Sequence, residues 1–239
     1  MKKTVKNLIT WSPSHLITSP KAAFTLAEVL ITLAIIGVVA AMTIPTLVVE
    51  YKKKQWVSGL QKAIYVLNNG TKLMMADEGV FQYDQLAVHQ CSRNDISCAE
   101  KYYSKYFKIV ESVNTKPRAD FYNPLKILFL NGGSIGAFGN QGAQMTTSVL
   151  GSGYAFKTSD GMIFFVSSGF VDVNGNLPPN QFGRDILRLE VNENGGWDVI
   201  GAGGAWKEET LQAYKCETNG IFGNVCSGRI KDEGWKMNY

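Results

Sequence analysis

An apolar run over residues 24–49 constrains the whole chain. At about 1.5 Å of rise per residue, a helix of this length can cross a hydrocarbon layer of about 30 Å. One charged residue, Glu28, interrupts the run. A carboxylate costs about 2.5–3.5 kcal/mol at the middle of a bilayer and less near its edge. Because Glu28 lies one helical turn inside the run, we expect it to have a partner or a function.

The residues around Glu28 resemble the cleavage and methylation signature of type IV prepilins and type II secretion pseudopilins. They read Ala-Phe-Thr-Leu-Ala-Glu and follow a polar segment without acidic residues. In that family a prepilin peptidase cuts before a phenylalanine followed by Thr-Leu-x-Glu and methylates the new amino terminus. The resemblance implies cleavage between Ala23 and Phe24, methylation of Phe24, and an assembly role for the motif residues Thr25, Leu26 and Glu28. The residue before the cut is usually Gly in the family and is alanine here.

Two further residues of the run match the family pattern. Gly37 and Pro45 fall where many family members carry a helix-loosening glycine and proline. A proline inside a helix removes a backbone donor, and its ring crowds the preceding turn. The sequence therefore predicts a kink at Pro45 and local flexibility at both residues.

The net charge of +4 disappears once the expected leader, residues 1–23, is removed. Its four lysines leave 20 basic residues against 20 acidic ones. A near-neutral mature chain does not favour general attraction to nucleic acid. The lysines at 52–54 nearly balance those of the leader, so the flanking charges do not fix the orientation of the span. The resemblance and the cysteines place the C-terminal part outside the cytoplasm; an uncut single-pass anchor is the alternative.

The helix is predicted to continue beyond the apolar run. Five apolar residues and one threonine recur in steps of three and four, which aligns them on one helical stripe; they are Val57, Leu60, Ile64, Leu67, Thr71 and Met74. Gly79 is the predicted end. This gives one helix of about 55 residues, half apolar and half amphipathic. A coiled coil with another chain is the alternative partner for the stripe.

Residues 80–126 are predicted to be an irregular connection with short helical pieces. Aromatic and basic residues alternate there, as at 101–108. Such a pattern can bind single-stranded nucleic acid by stacking and phosphate contacts. An amphipathic helix that spreads its lysines over a core is the other interpretation.

From residue 127 the pattern changes to strands. Segments 127–130, 154–158, 162–167, 186–191 and 197–200 are predicted strands. Asp160-Gly161 indicates a hairpin, and residues 192–196 indicate a second turn. We expect an α+β, pilin-like fold in which the long N-terminal helix packs on an antiparallel sheet of about four strands.

The four cysteines are predicted to form disulfides. Their even number and the absence of Cys-x-x-Cys favour disulfides over zinc and indicate an oxidising compartment. Three pairings are open, and we favour the sequence-local one, Cys91 with Cys98 and Cys216 with Cys226. The second loop resembles the C-terminal disulfide region of pilins.

Residues 172–185, Asp-Val-Asn-Gly-Asn-Leu-Pro-Pro-Asn-Gln-Phe-Gly-Arg-Asp, form a segment rich in side-chain oxygens. Oxygens of Asp172, Asn174, Asn176 and Asp185 are the type that calcium prefers, although the spacing is not that of an EF-hand. Some pseudopilins bind calcium in a comparable loop. The alternative is that the Asx side chains cap their own turns while Arg184 pairs with a carboxylate.

The sequence offers little for catalysis, because His15 and His89 are its two histidines and no phosphate loop occurs. We therefore expect a non-enzymatic filament subunit with leader 1–23, membrane helix 24–49, amphipathic helix 50–78 and extracytoplasmic head 79–239. The expected partners are prepilin peptidase, related pilin subunits, the assembly platform and inner-membrane lipid. The competing interpretation is a membrane-anchored extracytoplasmic binding module that does not polymerise.

Overall fold

The computed structural model describes residues 24–92, 95–122, 126–136, 150, 153–209, 214–217 and 220–239. Two compact units are distinguished, Met1–Leu47 and Val48–Tyr239. Helix α1, Leu26–Glu78, begins in the first unit and ends in the second. The expected leader, residues 1–23, lies outside the described residues.

Helix α1 buries the predicted stripe within the second unit. Val57, Leu60, Leu67, Thr71 and Met74 are buried, and Ile64 is half-buried. The helix ends at Glu78, and the next residue, Gly79, has φ +67°. The Val80 amide donates to the Met75 carbonyl at 3.1 Å, which is the closing bond of a Schellman motif. The predicted end at Gly79 is therefore seen.

After α1 the chain forms two 3₁₀ turns, Tyr83–Gln85 and Ala87–Gln90, and then helix α2, Ile96–Tyr106. The Asp95 carboxylate caps α2 by accepting from the Cys98 amide at 3.0 Å. Tyr103 and Phe107 are buried, and the Tyr103 ring stacks on Tyr154. The lysines of this segment stay exposed. These aromatic rings belong to the core, so the geometry fits the amphipathic-helix interpretation of the segment.

The main sheet has six strands, so the expectation of about four was wrong. Its strands are β1 Ile109–Ser112, β4 Ala155–Thr158, β5 Ile163–Phe165, β6 Phe170–Asp172, β7 Ile186–Val191 and β8 Trp197–Val199. They pair in the order β1-β4-β5-β6-β7-β8, antiparallel throughout. Strands β2, Lys126–Leu128, and β3, Ser134–Gly136, form a separate pair. Helix α3, Arg118–Phe121, precedes β2.

Both predicted hairpins are present. Strands β4 and β5 are joined around Gly161, which has φ +89°. Strands β7 and β8 are joined through residues 192–196, where Gly195 has φ +72°. Positive φ favours glycine, because a Cβ crowds the backbone there. The three strands that the sequence did not reveal, β1, β3 and β6, pair with strands that it did.

Helix α1 is fixed to the sheet by polar contacts as well as packing. The Asn68 side chain donates to the Trp197 carbonyl at 2.9 Å and accepts from the Trp197 amide at 2.9 Å. The Trp197 indole donates to the Thr71 hydroxyl at 2.9 Å. Lys62 pairs with Asp160 at 2.6 Å. At Gly70 the helix backbone meets the Phe107 ring directly.

The C-terminal part carries helices α4, Ala205–Glu208, and α5, Cys226–Asp232. Cys216 bonds Cys226, and Cys91 bonds Cys98, so the structure has the sequence-local pairing. No cysteine of the described residues is free. The two bonds close short loops, one at the start of α2 and one at the start of α5.

Candidate functional site

The first candidate site is the start of helix α1. The Thr25 hydroxyl accepts from the Glu28 amide at 3.2 Å, and the Glu28 carboxylate accepts from the Thr25 amide at 2.8 Å. The Thr25 hydroxyl also donates to Glu28 Oε2 at 2.8 Å. This reciprocal pattern is a capping box, which satisfies amides that the first turn of a helix leaves without partners.

Both residues of the capping box lie on the C-terminal side of the expected cut. Its bonds join Thr25 and Glu28 and leave Phe24 out, so cleavage before Phe24 breaks none of them. Phe24 and Leu26 are 84% and 78% exposed. The motif residues are therefore accessible in this chain, and the Glu28 carboxylate keeps a second oxygen, Oε1, outside the box.

The apolar part of α1 has the composition of a membrane span. Within the described residues, α1 is long and apolar enough to cross a membrane. Its large side chains from Leu26 to Val49 are exposed in the isolated chain. The hydroxyls of Thr32, Thr43 and Thr46 donate to carbonyls three or four residues earlier. These bonds satisfy the hydroxyls without water, as lipid requires.

Gly37 and Pro45 both lie within α1, which continues through the proline. Space around Gly37 is open, since nothing lies within 4 Å of a Cβ placed there. The flexibility expected at these two residues stays a prediction.

The second candidate site is the loop between β6 and β7. Asp172 is the last residue of β6 and faces Ile186, the first residue of β7, so Asp185 lies beside it. Both aspartates are fully buried. Asp172 accepts from the Tyr122 hydroxyl at 2.6 Å and from the main-chain amide of Asn174 at 3.2 Å. Asp185 accepts from the amides at positions 180 and 181, at 2.8 and 2.6 Å.

Burial of two neighbouring acids makes their charged forms costly. Burial, and next the charge of Asp185, raises the pKa of Asp172 well above its ordinary value. Burial raises the pKa of Asp185 to about 6, although the amides of Gln181 and Asn180 oppose the shift. Burial and the Asp172 charge likewise raise the pKa of the Tyr122 phenol. Within the described residues, Arg184 takes part in no ion pair, so the pairing with a carboxylate that belonged to the alternative interpretation of this loop is not seen.

The loop also contains buried oxygens without donors. Oδ1 of Asn174 and Oδ1 of Asn180 are both buried and accept no hydrogen bond. Asn176, in contrast, has an exposed side chain, and its main-chain carbonyl accepts from the side-chain amide of Asn180 at 3.4 Å. The structure therefore brings Asp172, Asn174 and Asp185 together and leaves the Asn176 side chain outside.

The residues present fit a hard cation that prefers oxygen ligands. In the described part of the chain, no group of three or more His, Cys, Asp or Glu side chains is placed to hold a metal. A site here would have to use amide oxygens beside two carboxylates, which is typical of calcium and not of zinc. The sequence interpretation missed Tyr122, which lies 50 residues from Asp172 and has no local signal. It also missed Asn180, although this residue lies in the same oxygen-rich segment.

Comparison with known proteins identifies the N-terminal part. Residues 18–44 match the family described as the prokaryotic N-terminal methylation motif. No curated protein and no solved structure matches the chain. The matched residues contain the expected cut, the capping box, Gly37 and most of the apolar span. The chain therefore carries the prepilin-type methylation signature of type IV pilins and pseudopilins.

Proposed function

We propose that this protein is a structural, non-enzymatic subunit of a type IV pilus or a type II secretion pseudopilus. The observation that carries the proposal is the methylation motif at residues 18–44, placed where an exposed apolar helix begins. Prepilin peptidase cuts between Ala23 and Phe24 and methylates Phe24. Before the cut, the chain spans the inner membrane once, with its head outside the cytoplasm. After the cut, the assembly platform draws the mature chain out of the lipid into the filament.

Glu28 sets the register of assembly in this proposal. The cut turns the Phe24 nitrogen into a cationic amine, and a neighbouring subunit's Glu28 can pair with it. An isolated carboxylate in an apolar surrounding is costly, whereas a paired one is tolerated, so the correct register is favoured over shifted ones. Gly37 and Pro45 let the helix loosen while its apolar surface passes from lipid to the other helices.

The capping box gives Glu28 a second, local role that an experiment has to separate from assembly. Glutamine can replace glutamate in a capping box, because its amide oxygen still accepts from the Thr25 amide. Glu28→Gln therefore keeps the helix start and removes the charge, whereas Glu28→Ala removes both. If the charge selects the register, both variants are processed normally and both fail to enter sheared filaments. If Glu28→Gln assembles like the unchanged chain, the carboxylate has only its capping role and the register proposal is wrong.

The amino terminus of the mature protein is the direct test of the pathway. Mass spectrometry of the protein from cell envelopes should find chains that begin at methylated Phe24. A control with Phe24 and Glu28 unchanged and a bulky residue at Ala23 should accumulate uncut. If all of the protein from envelopes still begins at Met1, the proposal is refuted, and a membrane-anchored binding module that does not polymerise is favoured.

A further inference from the structure

Between the apolar run and the head, residues 50–55 of helix α1 form a short stretch that we call the neck. The apolar run ends at Val49, and Trp56 is the first residue of α1 that the head buries. At about 1.5 Å of rise per residue, Trp56 lies about 10 Å beyond Val49 along the helix axis. The headgroup layer on each side of a bilayer is about 5–7 Å thick. A bilayer that covers the run up to Val49 therefore brings its headgroups close to the head, and any tilt of the helix brings them closer.

The neck carries two lysines without an acidic partner. Lys53 pairs with Glu50 at 3.2 Å. Lys52 and Lys54 are exposed, and neither takes part in an ion pair within the described residues. Tyr51 is 62% exposed. Lysines near a membrane surface attract anionic headgroups, and tyrosine is enriched at the level of the headgroups. The neck is therefore suited to contact with anionic phospholipid.

Two contacts show which end of the main sheet lies near the neck. A Cβ added at Gly59 would lie 2.8 Å from Val173, the first residue after β6. Lys62 pairs with Asp160, in the hairpin between β4 and β5, at 2.6 Å. The hairpin between β7 and β8 instead meets α1 at Met75, near the other end of the helix. The loop after β6 and the hairpin between β4 and β5 therefore form the underside of the head, next to the neck.

The underside carries an exposed apolar side chain, Leu177. This residue lies in the loop after β6 and is 65% exposed, and Pro178 beside it is exposed as well. The Asn174 side chain donates to the Leu177 carbonyl at 3.1 Å, which holds this part of the loop in place. Residues 173–183 contain no charged side chain, and the acid of the neighbouring hairpin is already in an ion pair. Apolar side chains beside basic ones are the combination with which proteins bind the surface of anionic membranes.

We propose that the underside of the head rests on the bilayer that holds α1. Lys52 and Lys54 contact the headgroups of anionic phospholipids, and Leu177 enters the boundary between headgroups and acyl chains. This inference rests on the proposed function, because it needs the apolar run of α1 to lie in lipid. Contact with anionic lipid holds the chain at a fixed depth, so it opposes withdrawal of the chain from the membrane until the filament takes it up.

Spin labels measure how close the underside lies to the bilayer. The four native cysteines are paired with each other, so an introduced cysteine is the thiol that a nitroxide labels. The full chain is placed in vesicles of phosphatidylcholine and phosphatidylglycerol that also contain a lipid with a nickel chelate as its headgroup. Nickel should relax a nitroxide at Leu177→Cys several times as strongly as one at Phe81→Cys. Phe81 is the control, because it is 86% exposed but follows the end of α1 about 33 Å from Trp56. Equal relaxation at both positions would overturn the proposal.

Charge variants test the role of the neck lysines. In the chain labelled at residue 177, Lys52→Gln with Lys54→Gln should lower the ratio of heads on the bilayer to heads in water by about fivefold per lysine. The relaxation should then fall to the value seen in vesicles of phosphatidylcholine alone. Lys101→Gln with Lys105→Gln is the matched control, because it removes the same charge from exposed lysines beside Asp77, near the other end of α1. If both double variants have the same effect, the neck lysines do not make the contact.

A third label separates this inference from the proposed function. Met42 lies in the apolar run and is 72% exposed in the isolated chain. A nitroxide at Met42→Cys should be relaxed by oxygen, which concentrates in lipid, in both kinds of vesicle. If residue 42 is in lipid while residue 177 is in water in the anionic vesicles, the contact of the head is refuted and the proposed function stands. If residue 42 is itself in water, α1 does not enter the bilayer and both proposals fail.

Discussion

Replacing Gly70 by alanine tests how tightly helix α1 is packed on the head. Gly70 is buried in α1, and a Cβ added there would lie inside van der Waals contact with three atoms of the Phe107 ring, the farthest only 2.7 Å away. Phe107 cannot easily withdraw, because it is itself buried and packs against Tyr103 and Phe156. The substitution therefore inserts a methyl group where no space exists.

Two effects of opposite sign decide the outcome. Overpacking a close-packed core costs about 1–3 kcal/mol, and a clash with three atoms of a rigid ring belongs near the upper end. Alanine in a helix is more favourable than glycine by about 1 kcal/mol. The expected net loss is about 2 kcal/mol in the free energy of unfolding, which lowers the melting temperature by about 4–8 °C for a domain of this size.

Urea denaturation followed by circular dichroism measures the effect, with Asn69→Ala as the matched control. Asn69 is exposed on the same turn, so its replacement changes helix propensity alone and should stabilise slightly. Adding Phe107→Leu to Gly70→Ala should recover part of the loss, since the smaller side chain makes room for the methyl group. If Gly70→Ala is as stable as Asn69→Ala, the close contact between α1 and Phe107 does not exist.

Three further predictions concern single contacts. Asn68→Ala removes two hydrogen bonds to the main chain of Trp197, and we expect a loss of about 1–1.5 kcal/mol together with faster hydrogen exchange at the Trp197 amide; unchanged protection would contradict this. Burial raises the pKa of Asp160, but hydrogen bonds from Lys62 and Thr158 outweigh this effect and hold the pKa below its usual value. The contribution of the ionised Asp160 carboxylate to folding stability is therefore present above about pH 4 and is lost as the pH falls through the lowered pKa. Asp160→Asn should accordingly cost about 0.5–1 kcal/mol in urea denaturation at neutral pH, and this cost should shrink steadily as the pH is lowered through the pKa of the folded-state carboxyl; a cost that does not change with pH would refute the role of the charge. Replacing both Cys216 and Cys226 by serine should lower the free energy of unfolding by about 2.5–3 kcal/mol, from the loop of ten residues that the bond closes; an unchanged free energy of unfolding in urea denaturation would contradict this role of the loop.

The sequence predicted the elements whose signals repeat within a short distance. The stripe of α1 recurs over five turns, and its end at Gly79 has a residue type suited to positive φ. The hairpins at Gly161 and Gly195 combine turn residues with flanking apolar strands. In these cases local propensity and tertiary packing favour the same structure.

Strands β1 and β6 were missed because they are too short to show a period. Strand β6 has three residues, all buried, and β1 has four residues directly after an amphipathic helix. A run of this length alternates once or twice at most, so pairing with distant strands decides its conformation. The edge strand β1 also carries an irregularity in register between Ile109 and Glu111, which breaks the alternation further.

In the candidate sites, too, the sequence revealed the residues with a local signal and missed those that are placed by tertiary packing. Phe24 and Glu28 were found because the methylation motif is continuous in sequence. The acid pair was recognised from Asp172 and Asp185, but the choice of Asn176 over Asn180 depends on which amide side chain turns inward, and that is decided by packing. Tyr122 reaches Asp172 from 50 residues away, which no local pattern indicates.

The bonds between Asn68 and Trp197 have a consequence for how copies of this chain can meet. Strand β8 is the last in the sheet, and a terminal strand normally offers its free amides and carbonyls to a strand of another molecule. Here one carboxamide from the helix occupies both groups of Trp197. A strand of another molecule could pair with Trp197 only if helix α1 moved away from β8. Neighbouring copies can therefore lie side by side without their sheets joining at this position.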